Sequence, residues 1–330
     1  MANPNEQAAQ SPNTSKVIIA VNTPHGIGYF VDSEGRFLFR KQFDGVRRFS
    51  EGLACVKQND KWGFINTKGE GVSPCIYDKV GIFSKGLARV MQNGKWGFIN
   101  TKGEEVIPCI SDSSLFFSEG LTSVMLKGKR GYFNTKGEVI APCIYDDAWS
   151  FSEGHANINQ NGKWGFINTK GEVVVPCIYE DARGFSESLA KVRQNGKYGY
   201  INTKGELVIP CIYDWAWDLE EGLARVKQNG KCFFINTKGE EVAPCIYDEA
   251  WNFSKGHARV KQNGKWGFIN TKGEVVIPCV YDDALGFSEG LARVRIGDKQ
   301  TGKWSIINTQ GKVIVAECEM RSDWSKVKME

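Results

Sequence analysis

The stretch NGKWGFINTKGEVV, residues 161–174, decides the fold because near-identical copies flank it. NGKWGFINTKGEEV stands at 93–106, NGKYGYINTKGELV at 195–208 and NGKWGFINTKGEVV again at 263–276, which sets a period of 34 residues. With the Trp of KWGFIN as anchor, equivalent positions fall at Gly28, Trp62, Trp96, Arg130, Trp164, Tyr198, Cys232, Trp266 and Trp304. The last step is 38 residues, because IGDKQTGK at 296–303 lengthens one turn by four. A fixed period of this kind marks a tandem array rather than unrelated domains. Nine units fill one repeat domain over residues 17–330. The first and ninth are diverged, as an array needs where an end face has no neighbour. Residues 1–16, rich in Asn, Gln, Ser and Pro, read as a disordered lead-in.

Within a unit the local signals are all β. GLARVMQ (86–92) alternates, and Asn93-Gly94 supplies the two left-handed positions of a type I′ hairpin. KWGFIN (95–100) returns, NTKG (100–103) turns with Gly103 in the left-handed position, and EVIPCI (105–110) is a third strand. The polar segment that follows, YDDAWSFSEG at 145–154 in the fourth unit, reads as one helical turn capped by its Asp. The Asn-Gly turn predicts that Gln92 faces Lys95, Met91 faces Trp96, Val90 faces Gly97, Arg89 faces Phe98 and Ala88 faces Ile99. One face is then small and apolar (Ala88, Val90, Gly97, Ile99), and the other carries Trp96 and Phe98. A unit of 34 residues is too small to keep a core alone, so units should stack face to face. In that stack the aromatic face of one is expected to fill the hollow at Gly97 of the next. The expected fold is all-β: nine three-stranded units, an open superhelix favoured over a closed, propeller-like ring because nine exceeds the usual four to eight blades.

The motifs GLARV…NGKWGFINTKGE…IP and the following YD…FSEG resemble the bacterial WG (KWG) β-repeat family over about nine-tenths of the chain. Departures are Arg130, Tyr198 and Cys232 at the Trp position, and Phe233 and Ser305 at the following Gly. The resemblance implies a tandem β-repeat architecture in bacterial proteins. It implies no reaction and no catalytic residue.

The chemistry-bearing residues point away from catalysis. Seven of the ten Cys stand in Pro-Cys pairs, one per unit (Cys75, Cys109, Cys143, Cys177, Cys211, Cys245, Cys279), with no partner inside the unit. They read as small buried hydrophobes rather than a disulfide framework, and unpartnered thiols without a signal-peptide core suggest the cytoplasm. The recurrent acids Asp78, Asp112, Asp146, Glu180, Asp214, Asp248 and Asp282 lack the loop pattern of a calcium site and read as caps. His155 and His257 take a slot that is Leu in other units and look like packing variants; His25 lies in the first hairpin turn. No nucleophile elbow, phosphate loop, zinc motif or cofactor motif is present, so neither enzyme, metal nor cofactor is expected. The 42 basic and 38 acidic residues are nearly balanced and unclustered, which argues against nucleic acid, and no stretch is apolar enough for a membrane span.

What varies among units is more informative. Three residues past the recurrent acid the units read Arg47, Gly81, Leu115, Trp149, Arg183, Trp217, Trp251 and Leu285, with Trp215 nearby. A position that accepts Gly, Arg and Trp is not core, so Trp149, Arg183, Trp217 and Trp251 form a candidate recognition row; alternatively each Trp folds back onto its own coil. The expectation is a non-enzymatic scaffold that binds a protein partner along an extended surface. The alternative is a carbohydrate or cell-wall glycan, with Trp149, Trp217 and Trp251 stacking on sugar rings and Arg183 bonding hydroxyls.

Overall fold

The computed structural model describes residues 18–24, 26–39, 41–113, 115–298 and 302–318. The expected lead-in 1–16, His25 and the terminal WSKVKME lie outside them. Contacts divide the chain into two compact units, Met1–Cys143 and Ile144–Glu330. The described residues contain no helix; they form one two-stranded sheet (Ile18–Asn22 with Gly28–Asp32) and eight four-stranded sheets.

Residues 79–111 show how the repeat builds a sheet. Leu87–Gln92 and Lys95–Asn100 pair in the register that the Asn-Gly turn predicts, Gln92 with Lys95 through Ala88 with Ile99. Asn93 and Gly94 take φ of 52° and 75°, the left-handed conformation that Asn-Gly adopts at low cost. The next turn explains why NTKGE recurs. Asn100 Oδ1 accepts the N–H groups of Lys102 and Glu104 at 2.9 and 3.0 Å, its Nδ2 donates to Glu104 Oε2 at 2.7 Å, and Gly103 sits at φ 81°. Asn, Gly and Glu thus close the turn together.

The three-stranded expectation is corrected to four. A two-residue strand, Lys79–Val80, pairs with Met91 and Val90 and forms the opposite edge of the sheet from Glu105–Ser111. The capped helical turn is also corrected. Ser84 bridges to Leu87 across Lys85-Gly86, at φ 53° and 80°, so the SEG segment is another tight hairpin turn.

Gly97 is needed inside its own sheet, which overturns the expectation that a neighbour fills its hollow. A Cβ there would lie 2.4 Å from the Ile107 carbonyl oxygen and 2.8 Å from the Cys109 nitrogen. The edge strand pairs Ile107 with Phe98 and Ser111 with Trp96, so Pro108, Cys109 and Ile110 bulge across the glycine. Pro108 has no N–H to lose at this point. Where Phe233 replaces the glycine, Cys245 Sγ turns to the carbonyls of Gln228 and Lys231. In six other repeats the Pro-Cys thiol instead faces the carbonyl 19 residues upstream at 3.5–4.0 Å. These thiols are half-buried rather than buried, and the nine Cys from Cys55 to Cys279 are free; desolvation pushes those of the Pro-Cys pairs up.

Sheets meet face to face within each unit. In the N-terminal unit, Leu53, Cys55, Phe64 and Tyr77 of one sheet pack against Ala88, Val90 and Ile99 of the next. In the C-terminal unit, Phe166 and Tyr179 pack against Ala190, Val192 and Ile201 in the same way. Two polar ladders run between neighbouring sheets. The recurrent acid is a clamp rather than a helix cap: Asp214 accepts the Lys197 ammonium on Oδ1 and the Asn229 N–H on Oδ2 at 2.8 Å, tying two successive hairpins together. The turn glutamate reaches the following turn: Glu51 accepts the N–H groups of Lys85 and Gly86 at 2.6 and 2.8 Å, and Glu153 those of Glu187 and Ser188 at 2.9 Å each. Glu187 and Glu221 repeat this on Gly222 and Gly256.

Candidate binding site

The variable position begins where the short strand ends. Its N–H is held by the adjacent strand (Trp149 to Asn157, Arg183 to Lys191, Trp217 to Arg225, Trp251 to Arg259, at 2.9–3.0 Å), so the backbone is fixed. All four candidate residues belong to the C-terminal unit. Trp149 and Trp217 fold partly back and are half-buried, Arg183 is exposed, and Trp251 is 54% exposed. The folding back expected of each Trp is thus partial at Trp149 and Trp217 and absent at Trp251.

The structure joins them as two pairs. The Arg183 guanidinium lies 5.4 Å from the Trp149 ring, which meets Trp164 edge-on at 5.2 Å. Trp217 and Trp251 share the wall of a groove of about 510 Å³ that Asn252, His257 and Gly286 also line. The Trp217 carbonyl accepts the Tyr200 hydroxyl at 2.6 Å, and Trp215, itself exposed, stands 6.2 Å from the Trp217 ring.

Two arginines that the variable-position argument missed complete this groove. Arg225 lies 3.6 Å from the Trp217 ring centroid, and Arg259 sits between Trp251 at 4.9 Å and Trp266 at 4.5 Å. Their strand position pairs with the Phe of KWGF and reads Cys55, Arg89, Ser123, Asn157, Lys191, Arg225, Arg259 and Arg293 along the chain, a variability that could have flagged it. Nη1 of Arg225 and of Arg259 donates to the Ala250 and Ala284 carbonyl of the next sheet. Nε of each is buried without a partner, as is Asn252 Oδ1, while Asn252 Nδ2 donates to Glu220 at 3.1 Å. Burial lowers both guanidinium pKa values, yet arginine stays protonated. His155 and His257 lay their rings on Phe185 and Phe287 at 4.8 and 4.7 Å, as packing variants do. Among the described residues no three His, Cys, Asp or Glu are grouped to hold a metal ion. The site offers flat aromatic surface and two guanidinium groups, with the Glu220 carboxylate on the same wall.

A family model described as a WG containing repeat matches eight consecutive segments, 30–62, 62–96, 96–129, 131–164, 164–198, 198–232, 233–266 and 266–299. No curated protein matches the chain. Among solved structures, a eukaryotic initiation factor is similar at 12% identity and a TM-score of 0.41, over 92% of this chain and 96% of that one. Hsv2p of Kluyveromyces lactis is similar at 10% identity and 0.32, over 79% and 96%. PorZ of Porphyromonas gingivalis, a surface component of the type-IX secretion system, is similar at 10% identity and 0.27, over 91% and 52%. Likenesses this distant carry no functional argument.

Proposed function

From the premise that this chain belongs to the WG repeat family, we propose that it is a non-enzymatic scaffold that binds a protein partner along the edge bearing the short strands and SEG turns. One observation supports this most: at three of the four candidate edge positions a Trp ring lies beside a guanidinium, Trp149 beside Arg183 of the following repeat, Trp217 beside Arg225 and Trp251 beside Arg259. Trp and Arg beside a concave surface are the residue types that dominate protein interfaces, and a repeat array multiplies them at fixed spacing.

Glycan binding is the second reading, favoured by the exposed Trp215 and Trp251, whose rings are 49% and 54% accessible. Affinity capture from native lysate separates the two, comparing wild type with Trp149→Ala/Trp217→Ala/Trp251→Ala. Proteins held by wild type and lost from the triple variant support the scaffold. Equal capture by both removes this edge from the binding surface. Loss of Trp fluorescence on titration with oligosaccharides, with no protein captured, supports the glycan reading instead.

A further inference from the structure

We propose that the groove at Trp251 and Arg259, and its counterpart at Arg89, take peptide segments in which an acidic residue neighbours an apolar one. This rests on the protein-partner reading above and names that partner's chemistry. The apolar side chain lies against the aromatic wall, and the carboxylate meets the guanidinium, joined at the N-terminal groove by Lys85.

Two equivalent grooves carry the inference. The N-terminal unit has a groove of about 470 Å³ lined by Ile82, Lys85, Arg89, Leu115 and Phe116. A shift of five 34-residue periods carries Arg89, Phe98 and Phe116 onto Arg259, Phe268 and Gly286, which line the C-terminal groove. In each the arginine is held between two rings: Arg89 between Trp96 at 4.5 Å and Phe116 at 4.4 Å, Arg259 between Trp266 at 4.5 Å and Trp251 at 4.9 Å. The same shift carries Lys85 onto Lys255. These are the two repeats in which lysine replaces the turn glutamate found at 51, 119, 153, 187, 221 and 289. Lys85 lines the N-terminal groove, whereas Lys255 pairs with Glu289 at 2.7 Å beside the C-terminal one.

Charge and hydrogen bonding point to the same ligand. Arg259 spends Nη1 on the Ala284 carbonyl, and its Nη2 makes no hydrogen bond within the protein. A carboxylate is the acceptor that such a pre-oriented guanidinium binds most strongly. Sugar is disfavoured as the shared occupant, because Ile82, Leu87, Leu115, Phe116 and Phe117 make the N-terminal groove mostly apolar around Lys85, Arg89 and the one carboxylate, Glu119. Hydroxyls facing such walls would lose hydrogen bonds to water without replacement. An apolar side chain beside a carboxylate satisfies both grooves.

The test uses an isosteric pair at the two equivalent groove positions. A Cβ at Gly286 meets no atom within 4 Å, and Phe116 is 67% exposed, so both sites accept substitution without disturbing the core. Random twelve-residue peptides displayed on phage are panned on the full chain. The enriched peptides are then titrated by fluorescence anisotropy against wild type, Gly286→Gln/Phe116→Gln and Gly286→Glu/Phe116→Glu. Enriched sequences should place Asp or Glu next to an apolar residue, and the Glu variant should bind at least about tenfold more weakly than the Gln variant, since shape is matched and only like charge differs. Enriched peptides without acids, or equal binding by the two variants, overturn the acidic inference and leave the protein-partner reading standing. If no peptide is enriched and an oligosaccharide panel binds wild type but not the Gln variant, the partner reading falls with it. Binding by neither class overturns both.

Discussion

Gly165 has the Val175 carbonyl oxygen 2.4 Å from where its Cβ would stand, with the Pro176 and Cys177 backbone at 2.7 and 2.8 Å. Gly165→Ala must therefore push the Pro-Cys bulge off the sheet, and an overpacked backbone of this kind costs about 1–3 kcal/mol. Gly286→Ala, with open space around it, should stay within about 0.5 kcal/mol of wild type. Urea unfolding of both variants checks the contrast; equal midpoints would refute the assigned role of the WG glycine. That glycine was visible in the sequence as a hollow on one face, but its occupant was not, because the bulge that fills it follows from a register jump rather than from any periodicity. Arg225 and Arg259 escaped notice for a related reason. On a strand they read as side chains lying along an aromatic face, and their bonds to Ala250 and Ala284 belong to the following sheet.

At the level of elements, turns were the most legible feature. Asn-Gly set the hairpin register residue for residue, since a two-residue turn leaves the strands no freedom to slip. The two-residue strands were invisible, because a pair of residues has no period, and their ladder partners lie in a segment not yet written when the chain passes them. The acids were misread for want of distance: Asp214 is held by a lysine 17 residues behind it and an amide 15 ahead. Lys197, and then the Asn229 amide, hold the Asp214 carboxyl below its ordinary value of 3.8 in the folded chain. Asp78, Asp248 and Asp282 are lowered by Lys61, Lys231 and Lys265 in the same way. A carboxyl whose folded pKa is depressed adds stability above its unfolded pKa and loses it as pH falls through the folded value. Wild type should thus lose stability below about pH 4, where unfolded carboxylates begin to protonate. Asp214→Asn should start lower at neutral pH and lose less on acidification. Thermal melts between neutral pH and about pH 3 read both effects, and parallel curves for the two proteins would contradict the clamp.

Within each unit, neighbouring sheets in the sequence share a core. Deleting residues 196–229 removes one full period and rejoins Asn195 to Gly230, which restores an Asn-Gly turn. The aromatic face of one sheet then meets the small face of another as before, so the shortened chain should keep its β-type circular dichroism and melt cooperatively at a lower temperature. Deleting 196–212, half a period, breaks the hairpin and should yield an unfolded or aggregated product. If the two deletions behave alike, the period is not the unit of folding. The glutamate ladder has a further consequence. Glu153 caps the turn at 187–188, Glu187 the turn at 222 and Glu221 the turn at 256, always one repeat forward. The repeats that keep the glutamate therefore carry both a carboxylate for the successor and amides for the predecessor, within a single stretch of coding DNA. An in-frame duplication of that stretch inherits a matched junction on each side without any compensating mutation, so arrays of this design can lengthen in evolution by copying alone.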